Sequence, residues 1–190
     1  LDAALRCGAP DAALVPEPTD ERLVRANLGA LWFRLTVAGR PVHAAVAGAG
    51  ANAVEAAGRL IAALREHEAA LNAGPRHPAF EGVAHPINFN PGVVRGGDWP
   101  SSVPAWCELD CRIALFPGTP VEAAKRRVEE TVARAAAADP FLKDQPPRLE
   151  WTGFAAEGYH QPPGSEAEAA LARALEAAFG APLGDFAMPC

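Results

Sequence analysis

The order in which two periodicities alternate between residues 29 and 154 narrows the fold more than any other feature. Leu31, Phe33, Leu35 and Val37 alternate with Trp32, Arg34 and Thr36, the two-residue period of a half-buried strand. Asn52 can cap a helix running to about Leu71, with Val54, Ala57, Ile61, Leu64 and Leu71 on one face and Glu55, Arg59 and Glu66 turned outward. Pro75 and Pro78 stop that helix. Residues 87–94 return to strand character, and Pro91 confines this strand to an edge, a bulge or an interruption. From 105 to 115, Cys107, Leu109, Cys111 and Ile113 point inward and Trp106, Glu108, Asp110 and Arg112 outward. Pro117-Gly118-Thr119-Pro120 turns the chain into a second helix, with Pro120 at its first position and Val121, Val128, Val132 and Ala135 striping it to about Ala138. Residues 148–154 supply a fourth strand. The order β-α-β-β-α-β predicts an α+β fold on the ferredoxin-like plan, a four-stranded antiparallel sheet with both helices on one face.

The flanks do not belong to that plan. The apolar run Leu14-Val15, ending in Pro16-Glu17-Pro18, reads as a buried strand that stops abruptly, because proline cannot donate to a ladder. Ser165 caps a last helix that Gly180 ends after Phe179. The expectation is one complete domain, 29–154, inserted between two segments, 1–28 and 155–190, of another domain. A start without Met and an abrupt end give the further expectation that the chain is truncated on both sides.

Composition excludes some functions. With 17 basic against 23 acidic side chains, a formal charge of −6, the chain lacks the clustered Lys and Arg of a nucleic-acid or polybasic membrane binder. No apolar run approaches the roughly 20 residues that cross a bilayer. The four cysteines form no CxxC pair. Cys107 and Cys111 lie about 13 Å apart at strand rise, beyond disulfide reach. Reduced, buried thiols and a cytoplasmic location are expected.

Few residues offer chemistry by position. Glu17, locked between two prolines at the end of an apolar run, could bind a metal, or be a solvated loop glutamate, which spacing alone favours. His43 follows a strand among small residues and could reach out as a base or as donor to an oxyanion, although a lone histidine is more often structural. His67, His77, His85 and His160 form no HxH or HxxxH pair. Gly48-Ala49-Gly50-Ala51-Asn52 lacks the Gly-Lys-Ser/Thr ending of a phosphate loop.

Several segments taken jointly are more specific. Asp11-Ala-Ala-Leu-Val-Pro-Glu17-Pro-Thr19, Gly29-Ala-Leu-Trp-Phe-Arg-Leu-Thr-Val-Ala-Gly-Arg-Pro-Val-His43, the Asn52-Ala-Val-Glu helix start, Gly96-Gly97, Val103-Pro104 and Pro117-Gly118 occur in that order. Together they resemble the zinc-dependent amidohydrolases and metallopeptidases of the acetylornithine deacetylase and succinyl-diaminopimelate desuccinylase family. The resemblance implies a lid or dimerisation domain inserted in an α/β zinc-hydrolase domain, with subunits pairing through the lid. It implies Glu17 as one ligand of a zinc pair, with cobalt or manganese as alternatives. It implies His43 as the lid histidine that reaches a partner's active site to stabilise the tetrahedral intermediate. The remaining metal ligands and the general base would lie outside this chain, so the fragment alone is expected to be inactive.

Two positions depart from the family pattern. Ser101 stands where many members have Asn, and Ala114 where they have a carboxylate-holding arginine. Arg112, two residues earlier on the same strand face, could serve as a shifted clamp or pair with Glu108 or Asp110. The implied substrate is therefore an N-acyl amino acid or related small amide. The alternative is a stand-alone ferredoxin-like dimerisation or binding module without catalysis.

Overall fold

A computed structural model describes residue 8 and residues 12–189. In chain order the elements are β1 Leu23–Asn27, β2 Gly29–Ala38, α1 Ala53–Ala73, β3 Phe89–Gly96, β4 Trp106–Leu115, α2 Val121–Ala138, β5 Arg148–Ala156, β6 Tyr159–His160, α3 Glu166–Phe179 and β7 Asp185–Met188. Backbone contacts separate two units, residues 27–159 and a second unit of the described residues up to Ala26 with His160–Met188.

The first unit is a four-stranded sheet in the order β3-β4-β2-β5 with every neighbouring pair antiparallel. This is the ferredoxin-like arrangement. Leu31, Phe33, Leu35 and Val37 of β2 and Cys107, Leu109 and Ile113 of β4 are buried against Leu60 and Leu64 of α1 and Val128 and Val132 of α2. Phe33 sits at the centre, stacked on Phe89 at 6.4 Å and edge-on to Trp151 at 5.5 Å. Pro91 is on an edge strand, and the register of β3 against β4 shifts between Pro91 and Val93, so the missing donor coincides with a bulge.

Helix α1 keeps most of the expected stripe, with Ala57 and Leu64 buried and Ile61 and Leu71 packed against the core, but not all of it. Val54 is exposed, and the buried positions are Ala53, Ala56, Ala57, Leu60, Leu64, Glu68 and Asn72. Asn52 caps the helix, its side chain accepting from the N–H groups of Val54 and Glu55, and this start turns the alanines inward. Pro120 is likewise the N-cap of α2 and not its first residue.

The polar pair at the end of the α1 stripe fastens the loop that enters β3. Glu68 Oε1 accepts from Phe89 N at 2.8 Å, and Asn72 accepts from Ile87 N at 3.1 Å while donating to Ile87 O at 2.8 Å. Arg65 donates to Glu68 at 2.9 Å, and His85 Nε2 lies 3.2 Å from it. Desolvation alone would raise the Glu68 carboxyl, but the Phe89 N–H, Arg65 and His85 outweigh it and hold the group below its ordinary value of 4.5. A depressed folded-state pKa stabilises the fold above that ordinary value and ceases to do so as pH falls through the folded one. Glu68→Gln is therefore expected to lower the urea midpoint at pH 7 and to flatten its fall below about pH 4.5. An acid limb identical to wild type would contradict this.

In the second unit three short strands pair in the order β6-β1-β7. Arg25 of β1 donates to both carboxylate oxygens of Glu168 in α3, at 2.9 and 2.6 Å, and to Asp185 of β7 at 2.6 Å. Arg25 and the Gly164 N–H hold the Glu168 carboxyl down at about 2. Ser165 caps α3 by accepting from Glu168 N, and Gly180 ends it in the left-handed region at φ 69°. The buried strand expected at Leu14-Val15 is not found. Residues 12–17 have no regular structure, and Leu14 and Val15 are exposed. No described strand pairs with them, and Pro16 and Pro18 remove two donors that pairing would use.

Candidate functional site

The loop after β2 is laced to the loop before β4. Arg40 and Ala51 exchange backbone hydrogen bonds of 2.9 and 3.0 Å, which closes residues 40–51 into a clip. Gly39 N donates to Ala105 O at 2.7 Å, Val103 N to Val42 O at 2.9 Å and Ala44 N to Ser101 O at 2.8 Å. His43 itself bridges to Ser102. Gly39 permits this closeness, because a Cβ there would strike Pro104 O and come within 2.6 Å of Ala51 O, both backbone atoms.

His43 is exposed on this clip and N-caps a 3-10 helix, Ala44–Ala49. Its Nδ1 accepts from Ala45 N at 3.1 Å. An accepting Nδ1 places the proton of the neutral ring on Nε2, leaving an Nε2–H donor. The side chain is thus held in one orientation by its own loop, and the loop by the backbone of residues 101–105. The structure brings together two of the sequence-predicted residues, His43 and Ser101.

Arg112 is elsewhere. It lies on the outer face of β4, opposite Trp32 on β2 and Asn90 on β3. Trp106, where β4 begins beside the clip, is six residues or about 20 Å away at strand rise. The expected alternative partners of Arg112 are already engaged, since Asp110 and Glu108 pair with Arg34 and Arg95. Glu17 belongs to the other unit, where its side chain is exposed and its carbonyl accepts from Thr19 N at 2.8 Å. Among the described residues no three His, Cys, Asp or Glu side chains cluster as a metal site, so Glu17 alone does not make one. Cys107 and Cys111 are free and buried. Burial pushes the Cys111 thiol up to about 12 and raises Cys107 too, so neither is a nucleophile near neutrality. Cys7 and Cys190 lie outside the described residues.

Sequence reasoning missed the lacing of the clip, because it consists of backbone hydrogen bonds between loops with no side-chain pattern. It also passed over Trp32 and Phe154, whose rings meet at 5.6 Å on the outer face. An exposed tryptophan on an otherwise charged strand face was the available signal.

A family model described as the peptidase dimerisation domain matches residues 25–140. Acetylornithine deacetylase of Proteus mirabilis is 30% identical over 159 residues, which make up 83% of this chain and 38% of that protein. N-formyl-4-amino-5-aminomethyl-2-methylpyrimidine deformylase of Halalkalibacterium halodurans is 32% identical over 112 residues, 59% of this chain and 26% of that protein. Aminopeptidase PepT of Bacillus cereus superposes with a TM-score of 0.60 at 17% identity, covering 90% of this chain and 40% of that one. A hydantoinase/carbamoylase-family amidase of Burkholderia vietnamiensis gives 0.61 at 18% identity, over 89% of this chain and 37% of that one. The structural likeness is one of fold. The chain spans well under half the length of the curated relatives it matches. With the model covering more than half of its residues on the β-α-β-β-α-β unit, this chain belongs to the peptidase dimerisation domain family.

Proposed function

We propose that the chain is the lid and dimerisation part of a metal-dependent hydrolase that cleaves the amide bond of N-acyl amino acids or related small amides. The observation that carries this reading is His43, an imidazole oriented by Ala45 N on a rigid clip with Nε2–H left to donate. Such a donor favours the carbonyl oxygen of an amide as it takes on negative charge, more than the neutral ground state. Ser101, whose carbonyl holds Ala44, lies beside it as a substrate contact. Glu17 is proposed as one ligand of the zinc, cobalt or manganese that the reading implies, and the described residues hold no cluster of three or more such ligands.

Arg112 is the proposed partner of the substrate carboxylate. In an N-acyl amino acid the carboxylate and amide carbons are under about 4 Å apart. Arg112 lies about 20 Å along β4 from Trp106, where the strand leaves the clip, a span that such a substrate does not bridge within one chain. A second copy must then bring His43, which supports a homodimer formed through the lid. Deacetylase and deformylase names among the relatives favour a small acyl group. The net charge of −6 fits an enzyme without nucleic-acid partners, and among the described residues no helix is long and apolar enough to cross a membrane; a cytoplasmic location is part of the proposal.

The full-length protein is expected to release free amine from N-acetyl amino acids, to lose that activity to a chelator and to regain it with added zinc. No release from any N-acyl amino acid, with metal supplied, would overturn the proposal.

A further inference from the structure

The outer face of the four-stranded sheet, turned away from the helices, is largely neutralised by its own side chains. Arg34 donates to both oxygens of Asp110 at 2.7 and 3.0 Å and lies 3.5 Å from Glu108. Arg95 lies 3.4 Å from Glu108 and 3.3 Å from Asp110, and Arg148 pairs with Glu150 at 2.8 Å. Arg112 is the exception, with no ion pair among the described residues on a face where the acids of its own strand are engaged.

Register places Arg112 in a row that crosses the sheet. Asn90 on β3 faces Arg112 on β4, Arg112 faces Trp32 on β2, and the Trp32 ring meets Phe154 of β5 at 5.6 Å and an interplanar angle of 44°. Trp32 is 49% and Phe154 51% exposed. Two large rings are left half in water beside a guanidinium that forms no ion pair among the described residues. The strands that carry Arg112 and Trp32 are neighbours, about 4.8 Å apart at the backbone. A guanidinium on one strand and an aromatic ring on the next offer separate partners to a carboxylate and a ring joined through two carbons, as in an aromatic amino acid.

We propose that this row binds the amino-acid half of the substrate, Arg112 taking the α-carboxylate and Trp32 and Phe154 the side chain, so that the preferred substrates are N-acylated aromatic amino acids. The reaction rests on the hydrolase reading above; the binding does not. Asn90 lies within the same row as a further hydrogen-bonding group for the carboxylate. Charge complementarity selects the carboxylate, and offset stacking on exposed rings selects the aromatic side chain over a methyl group.

The test uses the full-length protein with N-acetyl-L-phenylalanine and N-acetyl-L-alanine. kcat/KM is measured for both, and binding of both by calorimetry in the presence of chelator. The phenylalanine derivative is expected to be preferred by about tenfold in each measurement. Trp32→Ala should remove that preference, Phe154→Ala reduce it, and Arg112→Gln weaken binding of both compounds by about tenfold or more, with Arg112→Lys restoring part. Hydrolysis without an aromatic preference, or a preference that survives Trp32→Ala, would overturn this inference and leave the hydrolase reading standing. Arg112-dependent binding of the phenylalanine derivative without hydrolysis of either compound would do the reverse. If Trp32→Ala dissociates a dimer and leaves the binding ratio unchanged, the face is an interface between copies and the inference fails. Circular dichroism of each variant separates these results from unfolding.

Discussion

His43→Ala in the full-length protein is expected to lower kcat by about 100- to 1,000-fold, with KM and metal content close to wild type. The size follows from removing one preorganised donor to a developing oxyanion. Its appearance in kcat follows from the donor acting on charge that the ground-state amide does not carry. The stability cost should be small. The imidazole is exposed, and the hydrogen bond it accepts from Ala45 N caps a short 3-10 helix, a role worth about 1 kcal/mol. An unchanged kcat would remove His43 from the mechanism. A fall in kcat matched by loss of metal would assign it to the metal site instead.

The second large effect needs no change to His43. Gly39→Ala places a Cβ against Pro104 O and 2.6 Å from Ala51 O, neither of which is a side chain that can swing aside. The clip must shift on the 101–105 loop, and overpacking of this kind costs about 1–3 kcal/mol. A displacement of about 1 Å at a positioned donor can lower turnover by about 100-fold. Gly39→Ala is therefore expected to lower both the urea midpoint and kcat. Gly48→Ala, on the same clip with nothing within 4 Å of the added Cβ, should change neither. Equal behaviour of the two variants would show that the lacing does not position His43.

The sheet was legible where one face is buried. The alternation of β2 and β4 survives in the structure residue for residue, because a slip of one position would expose Phe33 or Leu109. The helices were legible as helices, and Ala57, Ile61, Leu64 and Leu71 of α1 face the core as expected, while Val54 and the added buried positions were missed. Alanines carry little hydrophobic signal, and two of its buried positions, Glu68 and Asn72, are polar groups paired with the backbone of Phe89 and Ile87. Strands β1, β6 and β7 escaped notice because two to five residues hold too few alternations to show a period. The Arg25 network joins residues 143 and 160 positions apart, which no local pattern reveals. Of the candidate site, periodicity marked only loops. His43 was singled out by the joint motif, and its placement beside Ser101 depends on loop-to-loop backbone pairing.

The central claim is that His43 of one copy acts on substrate held by another, and subunit mixing tests it most directly. Full-length His43→Ala and Glu17→Ala proteins, each nearly inactive, are mixed under conditions that exchange subunits. If His43 acts across the dimer, every mixed dimer has one site with its Glu17 intact and the partner's His43 intact. Random assortment of a two-fold dimer then restores about a quarter of wild-type kcat. If His43 serves its own chain, no mixed dimer contains a complete site. A mixture no more active than its components, with subunit exchange verified, would contradict the account.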